Sequence, residues 1–266
     1  MYETSYHRPK DLADAAKLFT AAADARYLAG GQTLLPTMKL RLAAPSDVID
    51  LTRLAELKGI AVAGDTVTIG AATTHAEVAS SAAVKKAIPA LAELAAMIGD
   101  PAVRHRGTIG GSIANNDPAA DYPAAVLALG ATITTNKRTI AADAFFTGMF
   151  ATALQDGELI VKVAFPVPAK ANYQKFRNPA SRYAMAGVFV AKLKDSKVRV
   201  GVTGAGQKGA FRASGIETAL AAKWSADAVD GVTIDASGLL SDIHGSAIYR
   251  ANLVKVMAKR AVAAAG

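Results

Sequence analysis

Two short segments with paired glycines, Ala29-Gly30-Gly31-Gln32-Thr33 and Thr108-Ile109-Gly110-Gly111-Ser112, limit the backbone of this chain more than any other feature. Glycine lets a backbone approach another group closely and adopt a positive φ, so that successive N–H groups converge on one anion. Each segment follows a plausible strand or turn and carries a small hydroxyl or amide residue beside its glycines. Each also has a plainer reading as a tight connection: Gln32 or Thr33 capping a following helix, and Thr108 and Ser112 satisfying backbone groups. A pyrophosphate has two phosphates, so two such turns suit a dinucleotide gripped from two sides, provided that they meet in space.

Hydrophobic periodicity around the first turn reads β-α-β. A strand at Tyr2 to Tyr6 precedes Asp11 to Ala23, where Leu12, Ala15, Ala16, Leu18 and Phe19 recur at helical spacing. Ala25 to Ala29 is a short strand running into the glycines, Thr33 to Leu40 a short helix, and Asp47 to Leu51 another strand. From Leu57 the texture changes. Lys58 to Val62 and Asp65 to Gly70 form a hairpin, Thr74 to Ala82 and Pro89 to Ile98 are helical, and the second glycine turn leads to a helix from Asp121 to Leu129. A second hairpin turns at Asn136-Lys137, and a strand from Leu159 to Phe165 stops at Pro166 and Pro168, a natural boundary. Beyond Ala169, Val188 to Leu193 and Lys197 to Val202 flank an Asp195-Ser196 turn, with helices at Gly215 to Lys223 and Ile248 to Val262. This organisation predicts an α+β protein in three parts: an N-terminal α/β unit (1–56), a central α+β unit (57–168) and a C-terminal antiparallel α+β lobe (169–266).

Composition excludes several chemistries. The 266 residues include no cysteine, which removes disulfides, thiol nucleophiles and iron–sulfur clusters ligated by this chain. His7, His75, His105 and His244 lie far apart without metal-binding spacing, so no metal site is expected. Redox chemistry would then need an organic cofactor. The formal charge of +8 favours an acidic partner or an anionic cofactor, whereas 6% aromatic residues leave little for base stacking in a nucleic-acid-binding protein. No apolar run approaches the roughly 18 residues of a membrane span, and the first residues lack the apolar core of a signal peptide; a cytoplasmic location is expected.

Gly204-Ala205-Gly206-Gln207-Lys208-Gly209 matches the spacing of a nucleotide-binding loop. That fingerprint also needs a helix starting within it and a surrounding βαβ unit. Here Ser214-Gly215 interrupts the following segment and the preceding strand belongs to a hairpin, so the match is assigned to a turn.

Three blocks carry a resemblance: AGGQTLLPTMKLR (Ala29 to Arg41), GTIGGSIANNDPAADYP (Gly107 to Pro123) and RNPASRYAMAGV (Arg177 to Val188). Their order and sequence resemble the FAD-binding medium subunits of the molybdenum hydroxylases, the aerobic carbon monoxide dehydrogenase and xanthine dehydrogenase family. The resemblance implies a fold related to the vanillyl-alcohol oxidase (PCMH-type) flavoproteins, with two FAD-binding subdomains and a C-terminal lobe beside them. It implies cofactor contacts from Leu28, Ala29, Gly30, Gly31, Gln32, Thr33 and Leu34, and from Thr108, Ile109, Gly110, Gly111, Ser112 and Asn115. Both glycine segments would donate backbone and side-chain hydrogen bonds to the pyrophosphate. Asp121 matches an acidic FAD contact, Ile160 an apolar position near the cofactor, and Tyr183 an aromatic near the isoalloxazine, with a core aromatic as its alternative. One departure stands out: many relatives have a histidine where this chain has Asn115 or Asn116, and an amide does not titrate near neutral pH. No histidine adjoins the first glycine turn, so the flavin is expected to be noncovalent.

The activity so implied is electron transfer: from [2Fe–2S] clusters in a small partner subunit, through FAD here, to an external acceptor. A large molybdopterin subunit would transform the substrate, in an assembly expected to be a dimer of heterotrimers. No general base is therefore assigned. A self-sufficient FAD-dependent oxidoreductase of the same fold is one alternative, and a basic nucleic-acid-binding protein is the other.

Overall fold

The computed structural model describes residues 1–265. Its N-terminal part comprises β1 (Ser5–His7), α1 (Leu12–Ala21), β2 (Ala25–Leu28), α2 (Leu34–Lys39) and β3 (Asp47–Asp50). β3 lies between β1 and β2 and is parallel to both. The Asp11 carboxylate starts α1 by accepting from the Asp14 amide at 2.7 Å. Ala15, Ala25 and Ile49 then bury the inner face of the helix against the sheet.

The central part comprises β4 (Ile60–Ala63), β5 (Thr66–Gly70), α3 (His75–Ser80), α4 (Ala82–Ala87), α5 (Pro89–Ala96), α6 (Pro101–Arg106), α7 (Ile109–Asn115), α8 (Tyr122–Leu129), β6 (Thr132–Thr135), β7 (Thr139–Ala141), α9 (Ala142–Phe145), β8 (Phe146–Gly148), β9 (Ala151–Thr152) and β10 (Ile160–Pro166). Its main sheet runs β4-β5-β10-β6-β7, antiparallel throughout. The two expected hairpins are present, and β10 joins them, with Val163 opposite Ile69 on one side and Ile133 on the other. α8 is buried at every position from Tyr122 to Leu129. A helix that apolar all round has to lie in the interior.

The last part comprises β11 (Lys170–Arg177), β12 (Ala184–Lys192), β13 (Val198–Thr203), β14 (Phe211–Arg212), α10 (Ser214–Ala222) and α11 (Ala247–Ala264), with the four strands antiparallel in that order. β12 is buried along nearly its whole length because α11 and α8 both pack on this sheet. Gly201 of β13 faces α8 so closely that an added Cβ would fall on the Ala124 carbonyl. The buried Arg250 guanidinium ties α11 to the sheet: Nη1 donates to the carbonyls of Met185 (2.7 Å) and Gly204 (2.8 Å), and Nη2 to Asp242 (2.7 Å).

The three main sheets draw their strands from separate stretches of chain, but their cores merge. Tyr173, Phe189 and Ala191 of the third sheet are buried within the central cluster, while Leu57, Ala72 and Leu159 pack with the N-terminal one. The Gly204–Gly209 segment is a tight turn, with φ +80° at Gly204 and +92° at Gly209. No helix starts within it, in agreement with the sequence reading.

Candidate functional site

The two glycine segments meet. Gly30 packs on the chain at Arg106-Gly107, where an added Cβ would overlap the Arg106 carbonyl and lie 2.6 Å from Gly107 Cα. A Cβ on Gly111 would lie 3.5 Å from that of Ala29. The second segment is positioned from behind by residues 71–75. His75 N–H donates to Gly107 O (2.9 Å), Ile109 N–H to Thr73 O (3.2 Å) and Gly110 N–H to Ala71 O (2.9 Å), and Thr74 bridges Thr108.

Between the segments opens a cleft of about 630 Å³, the size of a cofactor site. One wall is Leu28, Ala29, Gly30, Gly31, Gln32, Thr33 and Leu34; the facing wall includes Gly107, Thr108, Gly111, Ser112 and Asn115. Arg26, Tyr27, His75 and Asp117 are also among the lining residues.

The walls differ in what they offer a ligand. Among the described residues, the amides of Gly30, Gly31, Gln32, Thr33 and Leu34 donate to no acceptor within the chain. Gly31 turns the backbone with φ +71° just before α2 begins. Five successive donors bordering a concave surface form a nest suited to an anion. The second segment is a helix start rather than a loop. Thr108 caps α7 by accepting from Gly111 N–H at 3.1 Å; Ile109, Gly110 and Ser112 N–H groups are engaged as well. Of its five backbone donors all but the Thr108 N–H are therefore committed internally, and the Ser112 hydroxyl is a free side-chain polar group on the cleft lining. Gly110 serves packing: a Cβ there would lie 2.6 Å from that of Ala71.

Five residues expected at the cofactor do not line this cleft: Ile109 is buried in the central core and Gly110 packs on Ala71, and Asp121, Ile160 and Tyr183 lie elsewhere. Asp121 is buried, with one carboxylate oxygen accepting from Tyr173 Oη at 2.5 Å and the other paired with Lys175 Nζ at 2.9 Å. Burial pushes its carboxyl up while Lys175 and Tyr173 pull it back down. Both oxygens thus join the third sheet to α8 instead of facing the cleft. Ile160 lines a smaller apolar cavity of about 110 Å³ behind the glycine wall, sharing Tyr27, Ala29, Gly111 and Ala114 with the cleft. Tyr183 packs on the C-terminal core, its hydroxyl accepting from Asn178 Nδ2 at 3.2 Å. The two asparagines separate: Asn115 lines the cleft, whereas Asn116, buried with φ +45°, ends α7 and donates to Gly148 O (2.7 Å) and Ala151 O (2.9 Å).

Sequence reasoning passed over His75 and Tyr27. The Tyr27 ring stacks on Phe19 with centroids 4.8 Å apart, its hydroxyl donates to Gly157 O at 3.2 Å, and burial pushes its pKa up to about 12. His75, only 4% exposed, has its pKa pushed down to about 4, first by burial and then by the Arg104 charge. It is a neutral imidazole at neutral pH.

Comparison with known proteins identifies the family. Residues 2–168 match the family described as "FAD binding domain in molybdopterin dehydrogenase". The chain is 37% identical to the carbon monoxide dehydrogenase medium chain of Hydrogenophaga pseudoflava, covering 98% of this chain and 96% of that one. It is 36% identical to the glyceraldehyde dehydrogenase medium chain of Sulfolobus acidocaldarius, covering 97% of each. Among solved structures, reconstituted CO dehydrogenase from Oligotropha carboxidovorans superposes with a TM-score of 0.89 at 34% identity, over 99% of this chain and 97% of that one. Quinoline 2-oxidoreductase from Pseudomonas putida 86 does so with a TM-score of 0.86 at 30% identity, over 99% and 96%. With the glycine walls, the merged α+β architecture and this similarity along the whole length, the chain belongs to the family of FAD-binding domains of molybdopterin dehydrogenases.

Proposed function

We propose that this chain is the FAD-binding medium subunit of a molybdenum hydroxylase, with the FAD diphosphate held noncovalently on the amides of Gly30 to Leu34 and by Ser112. The observation that carries this reading is the run of five unused amide donors bordering a cleft whose opposite wall touches it. FAD, when bound, supplies the junction that accepts electrons singly and releases them in pairs. The chain's own residues bind and orient it: the nest holds the anion, Leu28 and Leu34 border it with apolar surface, and His75 adds no charge at neutral pH.

In this reading residues 1–56 and 57–168 hold the cofactor and residues 169–266 form the adjoining lobe. A small subunit with two [2Fe–2S] clusters delivers the electrons, an external acceptor removes them, and a large molybdopterin subunit determines the substrate. The assembly is a cytoplasmic dimer of heterotrimers. The sequence match to medium chains supports this division of labour. In addition, no group of three or more metal-ligating side chains occurs among the described residues, and no described helix is long and apolar enough to cross a membrane. Reconstitution of the purified chain tests the reading: one FAD per chain is expected, released entirely into the filtrate on denaturation. An apoprotein that takes up no FAD contradicts it.

A further inference from the structure

His75 has more polar capacity than the fold uses. Its Nδ1 is sealed from solvent and has no hydrogen-bond partner, and the same is true of the neighbouring Tyr122 hydroxyl. The two rings lie 5.4 Å apart between centroids, at an interplanar angle of 43°. Buried polar atoms without partners are costly and uncommon in native proteins. Two on adjacent side chains point to a shared purpose. The other ring nitrogen, Nε2, also makes no hydrogen bond within the chain among the described residues. It abuts Gly107, where an added Cβ would lie 2.6 Å from it, and His75 and Gly107 both line the cleft.

The ring is confined by burial, 4% exposed and packed between Tyr122 and Gly107, and the backbone that carries it is fixed. The His75 amide donates to Gly107 O, and the Thr74 side chain caps α3 by accepting from Glu77 N–H at 3.2 Å. The phenol stays protonated, since burial and then the Asp121 charge push the Tyr122 pKa up. A protonated hydroxyl can donate to Nδ1, directly or through one water. Nδ1 then acts as acceptor, which leaves the proton of the neutral ring on Nε2.

We infer that His75 is a further ligand-binding residue of the cleft: its Nε2–H donates to the diphosphate of the bound dinucleotide, and Tyr122 is a positioning residue that holds this tautomer. The inference rests on the FAD reading above and adds to it an uncharged donor between the two glycine segments. A neutral donor suits this place because it binds the anion without bringing a cation into a buried wall beside Arg104.

Titration of the full-length apoprotein with FAD and with riboflavin, which lacks the diphosphate, tests it. His75→Leu keeps the apolar bulk and removes the donor; FAD affinity is expected to fall about 10- to 100-fold, as for a lost hydrogen bond to a charged group, with riboflavin affinity unchanged. His75→Gln, which restores an N–H donor, recovers most of the loss, and Tyr122→Phe gives a smaller loss. In ¹⁵N-histidine spectra of the wild-type chain, His75 is expected as the Nε2–H tautomer, with the Nε2 signal moving when FAD is added; this readout serves even where the variants do not fold. Unchanged FAD affinity in His75→Leu, an equal loss for FAD and riboflavin, or an Nε2 signal indifferent to FAD overturns the inference while leaving the FAD reading intact. A wild-type chain that binds no FAD overturns both.

Discussion

At the scale of single residues, His75 and the glycines impose opposite demands. His75 is a polar group kept neutral inside the fold, so it affects stability through pH. Its pKa is about 4 when folded against an ordinary 6.5, which means that the unfolded chain binds the proton more readily. Its contribution is fully present above pH 6.5 and is lost as the pH falls towards 4, amounting to about 3 kcal/mol at 1.4 kcal/mol per unit. Urea denaturation across that range is expected to show this loss in the wild type and a flatter profile in His75→Leu; parallel profiles would contradict it. The glycines matter by what they lack. Gly30→Ala drives a Cβ into the Arg106 carbonyl and is expected to cost about 3 kcal/mol, as overpacking does. Gly111→Ala meets Thr108 Oγ1 at 3.1 Å, a contact that a small shift relieves, and alanine suits a helix better than glycine. Its melting temperature is therefore expected near that of the wild type, while FAD affinity drops about tenfold as the cleft wall thickens. Unchanged affinity in Gly111→Ala would remove this wall from the binding site.

At the scale of elements, the Lys175–Asp121 pair fastens β11 to the start of α8, with the Lys175 side chain 0% and that of Asp121 5% exposed. Lys175→Met leaves the buried Asp121 carboxylate with Tyr173 but without its cation. The expected loss is about 3–5 kcal/mol, partly recovered by adding Asp121→Asn; denaturation of the single and double variants measures it. The same elements show what sequence periodicity reveals. α1, β2 and the two central hairpins are legible because their apolar residues recur at the right spacing. α7 reads as a turn because Gly110 and Gly111 occupy its first positions, and the cap that makes it a helix is a contact rather than a pattern. β11 escapes notice because Lys170, Asn172, Gln174 and Lys175 leave little apolar alternation. α6 is six residues long with a polar last turn. The glycine walls are legible as residues, but which wall keeps its amides free depends on the distant 71–75 segment. Asp121 illustrates the converse: a matching motif places it at the cofactor, and two side chains more than 50 positions away engage it in this structure.

At the scale of the whole molecule, the three sheets share their interiors, so no stretch is expected to stand alone. Truncation after residue 168 strips Tyr173, Phe189 and Ala191 from the central core. The fragment is expected to bind a hydrophobic dye and to lose its cooperative melting transition; a fragment melting like the intact chain would show the cores to be separable. That shared interior also fixes the geometry on which function depends, because α7 is held by residues 71–75 from behind and by the turn at 148–151 at its end. A crystal structure of the FAD-reconstituted chain measures the outcome directly. The account predicts the diphosphate within hydrogen-bonding distance of the Gly30 to Leu34 amides, with Ser112 and His75 on the facing wall. A diphosphate bound elsewhere, with those amides facing only solvent, would contradict it.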